Sequence, residues 1–354
     1  MSQRAPGPGE RGYTLLATGA CVVAMVGMVG LAVDIGRMYI VRNEIQAYVD
    51  AAALAATLQL DGTTTGITRA KDAVAASTNR WHLGTTAFTG TQVDFSTAAT
   101  GAWETDPATA PGYRYVRVRA SATLNLYLIP AVTSARTSTI NATAIAGQEL
   151  KMSYSEGLLP FSPFPHDETA ADYGYTVGQR YTLRWGPNPK TGQFVCAGDN
   201  EDGWVEKAEQ GNASERGYIE DTSSAVIRDA IENDYQSNVL SLGDTVNMTG
   251  GNKQTQRDSL IARVNQDTDV TSATYAEYVA SDTGNGRRLI AVPINTWYPE
   301  YKIIGFAAFF LLLPDEYPQG GNKSFCAEYV GPYVQGSWHQ GAGGTGTYVV
   351  RLVE

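Results

Sequence analysis

The sequence has few of the residues on which chemistry usually rests. Its 354 residues include three cysteines and three histidines. No CxxC, HExxH, GxSxG or Walker loop occurs, so the common zinc, redox, hydrolase and nucleotide-binding signatures are missing. His82, His166 and His339 have no neighbouring nucleophile and no metal-ligand spacing, and each reads as a structural or surface residue. Charged residues make up only 18%, and the net charge is -10. An acidic chain without a basic face is unsuited to nucleic acid, and no polybasic run addresses anionic lipid. The acidic turn Asp199-Asn200-Glu201-Asp202-Gly203 offers carboxylate oxygens to Ca²⁺ but lacks the EF-hand spacing, and Asp267 and Asp269 are weaker candidates. The expectation is a protein that is not an enzyme and has no cofactor or metal.

What is present is apolar. Hydrophobic residues make up 43%, enough for a sizeable core, and the length suits about two domains. The run Tyr13–Val33 carries no charge. As a helix it is about 31 Å long, close to the ~30 Å hydrocarbon core of a bilayer. A cleaved signal peptide is the rival reading, but its apolar region is shorter and ends in a break. Here the helical pattern continues without one. Ala20 with Ala24, and Ala32 with Gly36, form small-xxx-small pairs of the kind that lets membrane helices approach closely, though such residues are also simply common in membrane helices. Arg4 and Arg11 precede the run and Arg37 and Arg42 follow it, so the positive-inside count is a tie.

Beyond the run, Met38, Val41, Ile45, Tyr48, Ala52 and Ala55 recur at spacings of three and four, an apolar helical stripe. Nothing interrupts the helix until Asp61-Gly62, where a glycine suits the C-terminal cap. The spacing predicts one helix of about 45 residues, half in lipid and half in water. A second helix is predicted over Ile67–Trp81. Alternation in Val116–Leu128 and Ser138–Ala146 predicts a small antiparallel sheet.

Val33-Asp34-Ile35-Gly36-Arg37, followed by Val41-Arg42-Asn43, Gln46 and Asp50-Ala51-Ala52-Ala53-Leu54-Ala55, resembles the N-terminal signature of TadG-like proteins. These belong to the Tad (tight adherence, Flp) pilus and secretion apparatus. The resemblance covers roughly residues 10–150, and its signature positions are Asp34, Gly36, Arg37, Arg42, Gln46 and Asp50. Pilins of this system carry a glutamate a few residues into the mature apolar run. Here Glu10 precedes the run and none lies within it, which implies an uncut, TadG-like anchor. Some TadG relatives carry a von Willebrand-type domain with a DxSxS metal motif; Asp221-Thr222-Ser223-Ser224 misses that spacing, so no metal site is carried over.

The second half is richer in aromatics and reads as mainly β. Gly157–Pro165 is punctuated by prolines and marks a boundary. Gln179–Trp185, Arg287–Asn295 and Thr347–Val353 alternate as strands, and Asn285-Gly286 is a hairpin-turn signal. Ile303–Leu313 is eleven apolar residues, too short for a span and suited to a strand buried on both faces, with Gly305 as a bulge. A helix is predicted over Ser223–Ile231. Cys196 and Cys326 both lie here. In an exported domain they form one disulfide; otherwise they are two buried thiols. Cys21 is a packing residue within the apolar run.

The fold class is therefore α+β: a long N-terminal helix with a small antiparallel sheet, then a mainly β domain. The expected organisation is a cytoplasmic tail over 1–12, a transmembrane helix over 13–33, a helix-spine and sheet domain over 34–150, a linker over 151–165 and an exported β-rich domain over 166–354. The cysteine pair and the large downstream domain place the C-terminus outside. The resemblance implies a single-pass inner-membrane component of the Tad pilus or its assembly apparatus, contributing to adherence, with other pilus subunits and the bilayer as partners. The alternative is an anchored ligand-binding module, for example for carbohydrate, using Trp185, Trp204, Trp297 or Trp338 as stacking faces. A third reading, an anchored hydrolase, needs a His–carboxylate or paired-carboxylate cleft that the sequence does not show.

Overall fold

The computed structural model describes residues 8–81, 84–131, 133–186, 195–199, 215–219, 223–251, 255–320, 323–337 and 340–353. The apolar run and the amphipathic stripe form a single helix, α1, Pro8–Thr57, of 50 residues. At 1.5 Å per residue it is about 75 Å long. Residues 13–33 are exposed except at Gly27, which is half-buried, and Gly30, which is buried, whereas from Val41 onward one face is buried. The buried face is Val41, Ile45, Tyr48, Val49, Ala52, Ala53 and Ala56. It departs from the predicted stripe at its far end, where Ala53 and Ala56 are buried and Ala55 is only half-buried. A straight helix has 3.6 residues per turn, so a stripe counted at 3.5 drifts around it.

The second helix, α2, spans Thr64–Ala76, with the Thr63 hydroxyl accepting from Gly66 N–H as its N-cap. It ends before the predicted Trp81. Trp81 instead lies in a two-residue strand, Arg80–Trp81, paired with Thr86–Ala87. Its ring is buried in the same core, so the residue is placed correctly and the element is not.

Three strands follow: β1 (Thr89–Ser96), β2 (Tyr115–Asn125) and β3 (Thr137–Leu150). β2 and β3 pair antiparallel with Ala120 opposite Ala142 and Val118 opposite Ala144. Alternate residues of both strands face α1: Val116, Val118, Ala120, Ala122 and Leu124 from β2, and Ala142, Ala144 and Ala146 from β3. Small side chains at this face let the helix lie close on the sheet.

The remaining chain contains β4 (Arg180–Arg184), the helices α3 (Ser224–Asn233), α4 (Gln256–Asn265) and α5 (Tyr275–Ser281), and strands β5 (Leu289–Asn295), β6 (Ile303–Leu311), β7 (Phe325–Gly331), β8 (Tyr333–Val334) and β9 (Thr347–Val353). The second sheet has the order β5-β6-β7-β4, antiparallel throughout. β6 is the predicted apolar strand and is buried along almost its whole length. The bulge falls beside Gly305: Ile294 pairs with Gly305 and Asn295 with Ile303, which leaves Ile304 as the extra residue. Gly305 has a reason of its own. A Cβ there would come within 1.8 Å of the Tyr173 hydroxyl.

Three expectations about organisation meet different facts. The Asn285-Gly286 turn leads into β5 from α5, not from a preceding strand, so it closes no hairpin. The proline-punctuated stretch 151–165 is non-helical as expected, yet Tyr154, Leu158, Leu159, Phe161 and Phe164 are all buried. Its prolines stop regular structure while its large side chains fill the second core. Finally, the C-terminal strand β9 crosses back and pairs with β3, giving the first sheet the order β8-β9-β3-β2-β1. The two regions are thus stitched together by the chain's last strand.

Candidate functional site

The signature positions gather where α1 leaves the apolar run. β2 and β3 run toward that point, and their connection carries a short 3-10 turn, Ile129–Ala131. Asp34 is fully buried beneath it. One carboxylate oxygen accepts from Tyr127 N–H at 3.1 Å, and the other accepts from Leu128 at 2.9 Å and Ile129 at 2.7 Å. Turn amides left without strand partners are thereby satisfied by one side chain. The Ile129 N–H foremost, against the opposing effect of burial, and then Tyr127, Leu128 and Arg37, hold the Asp34 carboxyl below its ordinary value of 3.8.

Arg37 lies one turn further on. Its guanidinium donates to the Asn125 carbonyl at 2.9 Å and sits 4.0 Å from the centre of the Tyr127 ring. Four residues before Asp34, Gly30 meets Leu128: a Cβ on Gly30 would come within 2.7 Å of Leu128 Cβ. Gly30, Asp34 and Arg37 therefore share one helix face that fastens the hairpin tip. Gln46 and Asp50 act further along. Gln46 Nε2 donates to Asp50 at 2.7 Å and to the Thr143 carbonyl of β3 at 3.4 Å. Gly36 and Arg42 point elsewhere. Both are exposed, and Gly36 has nothing within 4 Å of its would-be Cβ. The signature thus divides into residues that hold the sheet and residues that face outward.

A second joint was not expected from the sequence. Gln148 on β3 is buried, and its amide donates to the Thr57 and Leu60 carbonyls at 3.0 and 2.7 Å. Thr57 is the last residue of α1, where its carbonyl also accepts from Leu60 N–H, and Leu60 lies just beyond the helix end. The Gln148 side-chain oxygen accepts from Ala342 N–H at 2.9 Å, which ties the C-terminal region to the same point. The usable signal was parity: residues 142, 144, 146 and 148 all face inward, and only the last is polar.

Elsewhere, polar residues hold structure. Asp94 accepts from Arg117, Arg119 and Thr105. Burial opposes its ionisation, but these donors, Arg117 first, hold its carboxyl low. Asp199 faces inward, accepting from Thr182 N–H at 2.5 Å and pairing with His166 at 2.8 Å. Burial raises its carboxyl, with His166 and Thr182 opposing. The other residues of the acidic turn, 200–203, lie outside the described residues, as do His82, His339, Trp204, Trp338, Asp221 and Thr222. Asp267 accepts from Tyr278 and from the Arg288 backbone, and Asp269 from Ser272 and Ser281. Both carboxylates are taken up in the loops around α5. Trp185 is buried, and Trp297 is half-buried with its ring centre 4.4 Å from that of Phe164.

Cys196 and Cys326 form a disulfide, with Cα atoms 5.8 Å apart. It fastens the segment after β4 to β7. Cys21 is free and exposed on the apolar run.

Together these features define an α+β protein with a long N-terminal helix: among the described residues one helix is long and apolar enough to cross a membrane, and the end of its apolar run is clamped to a sheet. Residues 12–86 match the family model of the Tad proteins, Flp pilus-assembly TadE/G-like. The N-terminal part of the chain is therefore similar to the TadE/G-like proteins of Flp pilus assembly. The match takes in α1 and α2 and stops short of β1. No curated protein and no solved structure matches the chain.

Proposed function

We propose that the protein is a non-catalytic, membrane-anchored component of a Tad/Flp-type pilus or of its assembly apparatus and contributes to surface adherence. The observation that carries this reading is the TadE/G-like match over 12–86, which spans the apolar run, its exit and the packed half of α1. Asp34, Arg37 and Gln46 bond to the chain's own backbone, as expected of a scaffold. The exposed residues Gly36 and Arg42 are then the positions offered to neighbouring subunits. In this reading the helix crosses the inner membrane once, with the N-terminus cytoplasmic. The disulfide supports an exported C-terminal region, because such bonds persist in oxidising compartments.

Deleting the gene and scoring piliation and adherence tests the proposal. Loss of either, restored by the wild-type chain, supports it; normal piliation and adherence under inducing conditions overturn it. Mass spectrometry of sheared pili distinguishes a filament subunit from an assembly component. The sugar-binding alternative has less support, since Trp185 is buried and Trp297 is half-buried against Phe164.

A further inference from the structure

We propose that the tip of the β2–β3 hairpin is a second membrane contact: Tyr127 and Leu128 insert into the phospholipid interface beside the anchor. The inference rests on reading residues 13–33 as a span. The first observation is depth. Gly30 lies about 4.5 Å inside the end of that span by helical rise, yet it is the one buried residue within it. What buries it is Leu128, so the sheet reaches back to the level of the hydrocarbon.

The second observation is composition. From Leu126 to Ala135 the sequence LYLIPAVTSA carries no charge. Tyr127 and Leu128 remain 67% and 41% exposed although they flank a buried carboxylate. The adjoining helix face continues the same surface, with Ile35 at 51% and Tyr39 at 66%. An aromatic ring with a polar end and an aliphatic neighbour, at the mouth of a span, suit the boundary between acyl chains and headgroups. Arg37 and Arg136 flank the tip, where their guanidinium groups meet phosphates. The one acid in the cluster is Asp34. Its charge is covered by three backbone N–H groups, so the tip presents no carboxylate to the lipid. Continuity with the span selects lipid as the occupant rather than a separate protein.

Spin labelling tests this with the full chain in nanodiscs of phosphatidylethanolamine and phosphatidylglycerol. On a Cys21→Ser background, single labels are placed through Tyr127→Cys and Leu128→Cys. Val22→Cys reports the span, and Val239→Cys, at a site 59% exposed beside the second core, reports water. The residue that meets Gly30 is Leu128, so the label at 127 leaves that contact in place and remains informative if the Leu128 change loosens the tip. Oxygen concentrates in bilayers and a neutral nickel chelate stays in water. The expected result is an oxygen-to-nickel collision ratio at 127 and 128 raised toward that at 22. Water-like ratios at 127 and 128 with a lipid-like ratio at 22 overturn the tip contact and leave the anchor standing. Water-like ratios at all three overturn both. Exclusion of both reagents at 127 and 128 shows cover by protein and also overturns the proposal.

Discussion

The two cores are built from different materials. Around α1 the buried residues are mostly small or aliphatic, with alanine at 52, 53, 56, 70, 120, 122, 142, 144 and 146. Around β6 they are large and often aromatic: Phe161, Tyr175, Tyr181, Tyr218, Phe309, Tyr317, Phe325 and Tyr329. An alanine-lined face brings a helix close to a sheet but buries little area per residue. The first region therefore relies on a few polar joints, Asp34 and Gln148 above all, to fix its geometry. The second buries more apolar surface per side chain, encloses Arg184 and Arg288, and adds a disulfide.

The sharpest way to break the comparison is to remove the bond that only one region has. Cys196→Ser with Cys326→Ser opens a loop whose ends are 130 residues apart. The chain-entropy cost is about 4–5 kcal/mol, an upper figure. We predict a large drop in the unfolding midpoint of the second region, with hydrogen exchange in β2 and β3 little changed. Equal loss in both regions would show that they unfold as one unit.

The matching assault on the first region is Ala52→Asp. Ala52 is fully buried against α2 and the sheet, and an unpaired buried carboxylate costs about 3–5 kcal/mol. Faster exchange across α2, β2 and β3 is expected. An unchanged melting curve would show that the stripe is free for assembly with another subunit. A smaller effect is expected from Gln148→Leu, which strands the Leu60 carbonyl and the Ala342 amide and removes one of the two donors to the Thr57 carbonyl, at roughly 1–3 kcal/mol. It loosens the end of α1 and the 340–346 loop together, as read by exchange at both.

Acid sharpens the comparison most gently. The Asp34 and Asp94 carboxyls are held low in the folded chain, so their contributions are complete above the ordinary value of 3.8. They are lost as pH falls below it through the depressed values. Asp199 is raised by burial and behaves oppositely, favouring the fold as it takes up a proton. Amides at the hairpin tip and the β1 edge are therefore expected to lose protection in acid before those of β4 around Thr182. Earlier loss around Thr182 would contradict the assignment.

The same contrast explains what could be read from the sequence. Helical spacing from Val41 to Ala52 and strand alternation from Val116 to Ala146 are local patterns, and each maps onto a buried face. β6 was legible because an uninterrupted apolar run has few other uses. The pairing of β9 with β3 was not, because strand alternation says which face is buried and nothing about the partner. Pro160, Pro163 and Pro165 likewise marked where regular structure stops, while the burial of Phe161 and Phe164 between them depends on distant strands. Asp34 was legible as a signature residue but its role was not, since its three donors lie more than 90 positions away.

The central claim is that Asp34 fastens the sheet to the helix where the apolar run ends. Its most direct test is residue-resolved amide exchange at Tyr127, Leu128 and Ile129 in the wild type and in Asp34→Ala, both in nanodiscs. The account predicts three protected amides in the wild type and their selective loss in Asp34→Ala, with β6 unaffected and Asp34→Asn in between. Equal protection of the three amides in all variants would contradict it.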